Sequence, residues 1–424
     1  MHRRGPWHLA AATAIASLLL AAGLTSQTPP DGSRYWPQWR GPLGTGEAPS
    51  AKPPLRWSAS TVQWQVDLPG RGKSTPVVWG DTIFLTTAIP GAGDVQQFTV
   101  LAFNRADGKE RWRRIVHEEK PHEGTHPDGT YASGSVLTDG RMIYAYFGSR
   151  GLYALDPAGK VVWSKQFGRM QTRMGFGEGN SPALHGDTLV VQWDHEGADW
   201  VAALDAKTGR ERWRRERDEP TTWCTPHVTV HGGKPQVVVS GTNRLVSYDL
   251  ATGETLWEAG GLTANVIPTP VSGDGLVIAM SGFRGNKARA IRLADARGQV
   301  SGPPAEVWTY DRDTPYVPSP LLYRGAVYFL KSNSGVITSL DAKTGAVRFT
   351  GRLEAVPNVY ASPVAADGRI YIVGREGTTV VLGDGAALEV LATNELDDDI
   401  DASPALVDGN IYLRGAKRLY AIGG

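Results

Sequence analysis

The side chains with the greatest chemical reach gather in three short stretches. His117, His122 and His126 stand with Glu118, Glu119, Glu123 and Asp128 in HEEKPHEGTHPDG. Imidazoles and carboxylates at that density could hold a metal, but the spacing follows no helical or paired-ligand template. Pro121, Gly124 and Pro127 mark the stretch as a solvated loop. Asp194-His195-Glu196 could orient a base, yet no Ser or Cys stands at a recognisable spacing from it, so no nucleophile-base pair is assigned. Asp397, Asp399 and Asp401, in DDDID, offer hard oxygen ligands and are the weak Ca²⁺ candidates. A run of this kind is more often a solvated turn, so no metal and no catalytic residue is assigned. No glycine-rich phosphate loop opens a helix anywhere in the chain.

The elements that must position these groups repeat. LDAKTGRERW at 204–213 returns as YDLATGETLW at 248–257, LDAKTGAVRF at 340–349, FNRADGKERW at 103–112 and LDPAGKVVW at 155–163. In each copy an apolar residue and an Asp-type residue end a strand. Thr-Gly or Asp-Gly then supplies a turn that tolerates positive φ, and an alternating segment starts the next strand. A second pattern precedes each hairpin, as in SPALHGDTLVVQW, SPVAADGRIYIVG and SPALVDGNIYLRG. Together they make four short strands in roughly 40 to 50 residues, the size of a propeller blade.

Pro76, Val136, Pro182, Pro226, Pro270, Pro320, Pro363 and Pro404 open eight such units. The expected fold is all-β, an eight-bladed propeller of four-stranded antiparallel blades; a seven-bladed ring is the alternative if the divergent unit after Pro270 pairs differently. The chain stops before a last Trp strand, whereas VQWQVDL at 62–68 is such a strand with no blade before it. The N-terminal strand therefore joins the C-terminal blade and closes the ring, removing exposed edges. The expected organisation is a signal peptide at 1–26, an extended arm at 27–61 and the propeller at 62–424.

Composition excludes several functions. The chain has 424 residues, 44 basic and 43 acidic side chains; without Arg3 and Arg4 the basic count is 42, and this balance offers nothing to nucleic acid or an anionic surface. MHRRGPWH followed by an apolar run at 9–24 has the layout of a secretory signal, with an uncleaved anchor as the alternative. A periplasmic or otherwise exported monomer is expected. No Cys follows the apolar run, so no lipid anchor is expected, and Cys224 alone cannot form an intramolecular disulfide.

With these motifs the chain resembles the quinoprotein-type propellers with PQQ-like repeats, and among them the exported repeat proteins likened to the lipoprotein of the outer-membrane barrel-assembly machine. The resemblance implies a clasp in which the Trp of one blade docks on the next blade's turn. It assigns that structural role to Asp205, Thr208, Gly209, Trp213, Asp249, Thr252, Gly253, Trp257, Asp341, Thr344 and Gly345. It also admits PQQ with Ca²⁺, although the adjacent cysteine pair of the alcohol-oxidising members is missing.

In a propeller the innermost strands start at one mouth of the channel, so residues before each Ser/Thr-Pro form its rim. These are Lys73, Tyr131, Arg173, Glu178, Asn180, Trp223, Asn265, Tyr316, Tyr360 and Asp401, with Trp223 placed for a planar ligand and Arg173 projecting toward the same mouth as Glu178 for an ion pair with it or an anion contact. The functional expectation is a non-enzymatic exported scaffold for a protein or cell-envelope ligand. A PQQ-dependent oxidoreductase with the quinone in the channel mouth is the alternative.

Overall fold

The turn chemistry of LDAKTGRERW builds one hairpin. The Asp205 carboxylate accepts the Thr208 N–H at 2.9 Å and its hydroxyl at 2.7 Å. Gly209 takes a φ of 71°, which an L side chain resists, and the chain reverses so that Glu211–Glu216 pairs antiparallel with Trp200–Asp205. Asp249 holds Thr252, and Asp341 holds Thr344, in the same way.

In the computed structural model, which describes residues 1, 2 and 32–423, these hairpins belong to eight sheets arranged as propeller blades. Apart from its first two residues, the expected signal segment lies outside the described residues. The innermost strands run from Val77–Trp79 in blade 1 through Leu137–Thr138, Ala183–His185, His227–His231, Val271–Gly273, Leu321–Tyr323 and Val364–Ala366 to Ala405–Val407 in blade 8. The divergent unit after Pro270 forms a full blade 5 with Leu276–Ser281, Lys287–Arg292 and Glu306–Tyr310, so the ring has eight blades rather than seven. Val62–Asp67 pairs antiparallel with Arg418–Gly423 and completes blade 8 from the N-terminal end.

Burial grades outward along each blade. Thr188–Trp193, second in blade 3, is buried throughout, while the outermost Val62–Asp67 alternates between half-buried and exposed residues. The apolar residues therefore form layers between neighbouring blades. One layer, with Trp36, Leu101, Tyr371 and Leu419, joins the arm to blades 1, 7 and 8 across the closing seam.

Tryptophans pin these layers. The indole N–H groups of Trp64, Trp112, Trp163, Trp213 and Trp308 donate to Arg105, Pro157, Ala206, Leu250 and Ala342 carbonyls in the next blade, at 2.9–3.1 Å. Each ring lies on the glycine of the turn that receives it; a Cβ at Gly253 would stand 2.6 Å from Trp213. Trp257 departs from the pattern and donates to Gln236 Oε1 of its own blade at 3.0 Å. Blade 5 lacks the receiving Asp-Thr-Gly turn, and a short strand, Gly298–Val300, pairs in parallel with Trp257 to Ala259 instead. Phe349 has no N–H to give, and Tyr328 joins blades 6 and 7 by donating to Asp384 at 2.6 Å.

The arm does more than lie on the ring. Trp36 bridges to Val78 of blade 1, Pro37 accepts from Thr138 of blade 2, and Ala48 donates to Ala365 of blade 7. Between these anchors the segment crosses the lower end of the channel, where Trp39 donates to Thr269 at 3.0 Å and the buried Arg40 donates to the Pro320 carbonyl at 2.8 Å.

Gly44 of the arm covers His227, whose imidazole burial holds at a pKa of about 4. The unfolded chain takes up this proton near pH 6.5 and the folded one only near 4, so the group's contribution to stability falls as pH drops through that window. Asp199, raised to about 6 by burial, acts with the opposite sign. The effect is therefore read as a difference. Urea unfolding of His227→Gln against the wild type should shift in the variant's favour by up to about 3 kcal/mol between pH 7 and pH 4.

Candidate functional site at the channel mouth

The Ser/Thr-Pro motif builds a hoop around the channel. Each residue's N–H donates to the hydroxyl of its counterpart one blade on: Thr75 to Ser135, Ser135 to Ser181, and onward through Thr225, Thr269, Ser319, Ser362 and Ser403, at 2.8–3.3 Å. The link that would return from Ser403 to Thr75 is missing, and Thr75 Oγ1 has no partner. The seven hydroxyls that accept these bonds, from Ser135 to Ser403, find no acceptor for their own O–H among the described residues, and all line the central cavity.

Two residues upstream of the hoop a second ring forms, of Lys73, Ser133, Gly179, Trp223, Ile267, Val317, Tyr360 and Asp401. This ring does not repeat in type, which is what a site on a repeated frame requires. Trp39 closes the cavity below, and His126, Asp128 and Phe176 overhang it from the mouth loops, leaving a blind chamber of about 230 Å³.

Charges at the mouth are matched. Lys73 pairs with Asp401 and also donates to the Asp128 carbonyl. Arg375 reaches Asp401 Oδ1 at 2.7 Å and Asp128 Oδ1 at 2.8 Å, and lies 4.1 Å over the Tyr360 ring. Tyr360 donates to Asp128 Oδ2 at 3.1 Å. Arg375 holds the Asp128 carboxyl below its usual range. The insertion carrying His126 and Asp128 is thus latched across the mouth to blades 7 and 8. Trp223 fixes its ring by donating to the Gly177 carbonyl at 2.7 Å.

The predicted rim residues divide accordingly. Lys73, Trp223, Tyr360 and Asp401 occupy the upstream ring, and Glu178 and Tyr316 also line the chamber. Tyr131 and Asn180 line a small crevice beside it. Asn265 is buried, with its Oδ1 unpartnered.

Two arrangements that the sequence left open are not formed. Glu178 does not pair with Arg173; buried Arg150 meets it at 3.0 Å and the Ser149 hydroxyl donates to it at 2.6 Å, because the turn at Gly148 places them there. Burial raises the Glu178 pKa against the opposing pull of Arg150. Asp397, Asp399 and Asp401 do not converge: Asp397 and Asp399 are exposed, the intervening Asp398 turns inward to accept from Tyr420 at 3.1 Å, and Asp401 belongs to the mouth. Asp194, His195 and Glu196 are spent on structure; Asp194 pairs with Arg217 at 2.8 Å, each side chain fully buried.

The model of the family described as outer membrane protein assembly factor BamB matches residues 56–197 and 197–423. The chain belongs to that family. BamB from Moraxella catarrhalis superposes with a TM-score of 0.60 at 14% identity, over 85% of this chain and 98% of that one. The quinohemoprotein alcohol dehydrogenase of Comamonas testosteroni gives 0.63 at 13%, over 92% and 80%. In sequence, a polyvinylalcohol dehydrogenase from Sphingopyxis sp. (strain 113P3) is 31% identical over 177 residues, 37% of this chain and 24% of that protein. The matched stretch thus spans about a quarter of the dehydrogenase.

Because this BamB-family fold is shared with quinone enzymes, the mouth can be tested against PQQ and Ca²⁺. Among the described residues one His/carboxylate triplet converges, His122, Glu123 and Glu178. Arg150 already stands against it, 3.0 Å from Glu178 and 3.3 Å from His122 Nδ1, so a cation's place is filled by a guanidinium. The cations nearest the chamber, Lys73 and Arg375, are committed to Asp128 and Asp401 rather than free for a quinone's carboxylates. Cys224 is buried, donates to the Ser240 carbonyl and has its thiol pushed up to about 12 by burial, beyond redox partnership. These residues do not fit the group.

Proposed function

We propose that this protein is an exported binding propeller that captures a protein of the cell envelope at its channel mouth, and that it carries out no redox reaction. One observation carries the reading. Lys73, Asp128, Glu178 and Asp401, which line the chamber, are each paired with another protein group, while the aromatic walls of Trp223, Phe176, Tyr316 and Tyr360 and the hydroxyl floor keep their recognition capacity. Aromatic anchors in a desolvated pocket are what an interface hot spot uses. Acid-base catalysis would instead need a carboxylate free to move a proton. The family description, an assembly factor, supports a protein partner.

The stretch shared with polyvinylalcohol dehydrogenase favours a second reading, quinone-dependent alcohol oxidation in the same mouth. Titrating the purified chain with PQQ and Ca²⁺ separates the two. The binding reading predicts no saturable tryptophan quenching at micromolar quinone and no dye reduction with alcohols; saturable quenching with turnover would overturn it.

A further inference from the structure

Beside the mouth, between blades 7, 8 and 1, lies a polar groove of about 400 Å³ whose lining includes Arg71, Gly72, Arg375, Glu376, Asp399 and Arg414. Arg414 is unusual in it. The residue is 2% exposed, and its Nη1 donates to Ser74 Oγ and to the Thr86 carbonyl, each at 2.6 Å. These bonds tie blade 8 to blade 1 where the hydroxyl hoop fails to close. They leave the charge uncompensated: among the described residues no carboxylate pairs with Arg414, and its buried Nε has no acceptor. A buried cation without a counter-charge is costly, and a clasp between two neutral acceptors could be made by an amide.

Nε is sealed from solvent, so on the unspent edge of the guanidinium it is Nη2 that can meet an oxyanion in the groove. Gly72 permits the guanidinium's close approach to blade 1, since a Cβ on it would stand 2.3 Å from Nη2. Lys73 and Arg375 are committed to Asp401 and Asp128, so the cations of the groove without a carboxylate are Arg414 within and exposed Arg71 at the rim. Of the carboxylates in the groove, Asp401 is held by Lys73 and Arg375, while Glu376 and Asp399 are exposed, where water and salt screen them.

From this arrangement we infer that the groove is an anion subsite, with Arg414 as its anchor and Arg71 at its entrance, taking the oxyanion of a ligand, a carboxylate or a phosphate. The inference does not depend on the protein-binding reading of the chamber.

Selenate is a suitable probe, being detectable both in solution and by anomalous scattering. Equilibrium dialysis at constant ionic strength should show one saturable selenate per chain. Binding should fall at least about tenfold in Arg414→Gln and a few-fold in Arg71→Ala, the latter with unchanged Tm. Phosphate or acetate, whichever displaces selenate at lower concentration, names the source of the oxyanion. Absence of saturable binding in the wild type, or equal binding in Arg414→Gln, would overturn the inference. Should Arg414→Gln not fold, a selenate-soaked wild-type crystal decides: an anomalous peak within hydrogen-bond distance of Arg414 Nη2 supports the subsite, and its absence there overturns it.

Discussion

Replacing Asp194 by Ala should destabilise the protein by about 3–5 kcal/mol, because it strands a buried guanidinium. Arg217 is held by Asp194 through Nε at 2.8 Å and Nη2 at 3.2 Å. The same carboxylate accepts from Thr222 at 2.9 Å and Gln192 at 2.6 Å. No water reaches either charged side chain. Removing both charges should cost less than removing one, so Asp194→Ala with Arg217→Met should recover a large part of the loss. Urea unfolding midpoints at neutral pH read both effects. A single variant within about 1 kcal/mol of wild type would show that the pair is solvated or dispensable. The network makes Asp194-His195-Glu196 an inter-blade joint. Glu196 likewise accepts from the Thr221 hydroxyl at 2.8 Å.

Trp213→Ala is the second large effect, also about 3–5 kcal/mol. It opens a cavity between blades 3 and 4 and removes the donor to Leu250 at 2.9 Å. The discriminating comparison is with Gly253→Ala, which forces a side chain to within 2.6 Å of the same ring. If the clasp is one unit, the double variant should lose less than the sum of the singles. Additive losses, measured by chemical denaturation, would mean that the indole and the turn stabilise the blades separately.

The fold could be read from the chain because its signals are local and repeated. Asp205, Thr208 and Gly209 define a turn wherever they occur, and Ser/Thr-Pro marks each blade's start, so the blade count and the closing strand follow from spacing. Trp257 resisted this logic because its partner depends on what the next blade offers. The residues at 293–302 replace the receiving turn with a segment that curls back as an extra parallel strand.

The chamber was legible only in part. Lys73, Trp223, Tyr360 and Asp401 emerge from the rule that rim residues precede the Ser/Thr-Pro motif. The finer rule, two positions before the hydroxyl residue, would also have given Ser133, Gly179, Ile267 and Val317. It was hidden because glycine and aliphatic residues carry no chemical signal of their own. Trp39, His126, Asp128 and Phe176 come from the arm and from loops, whose placement is set by ring closure rather than by any repeat. Arg150, which displaces Arg173 as the partner of Glu178, was invisible for the same reason: the pair is made by two turns in different blades.

The central claim, that the mouth is where a partner protein engages, is tested most directly by site-specific crosslinking in the intact cell. A photo-reactive side chain at Met174, which is 81% exposed in the loop leading to Phe176, should give a defined adduct. Its yield should drop at least about tenfold when Trp223 is replaced by Ala in the same chain. The same group at Val162, 53% exposed on the outer strand of blade 2, should give none. An adduct at Val162 alone, or one at Met174 that ignores Trp223→Ala, would contradict the account and move the binding surface from the channel mouth to the blade edges.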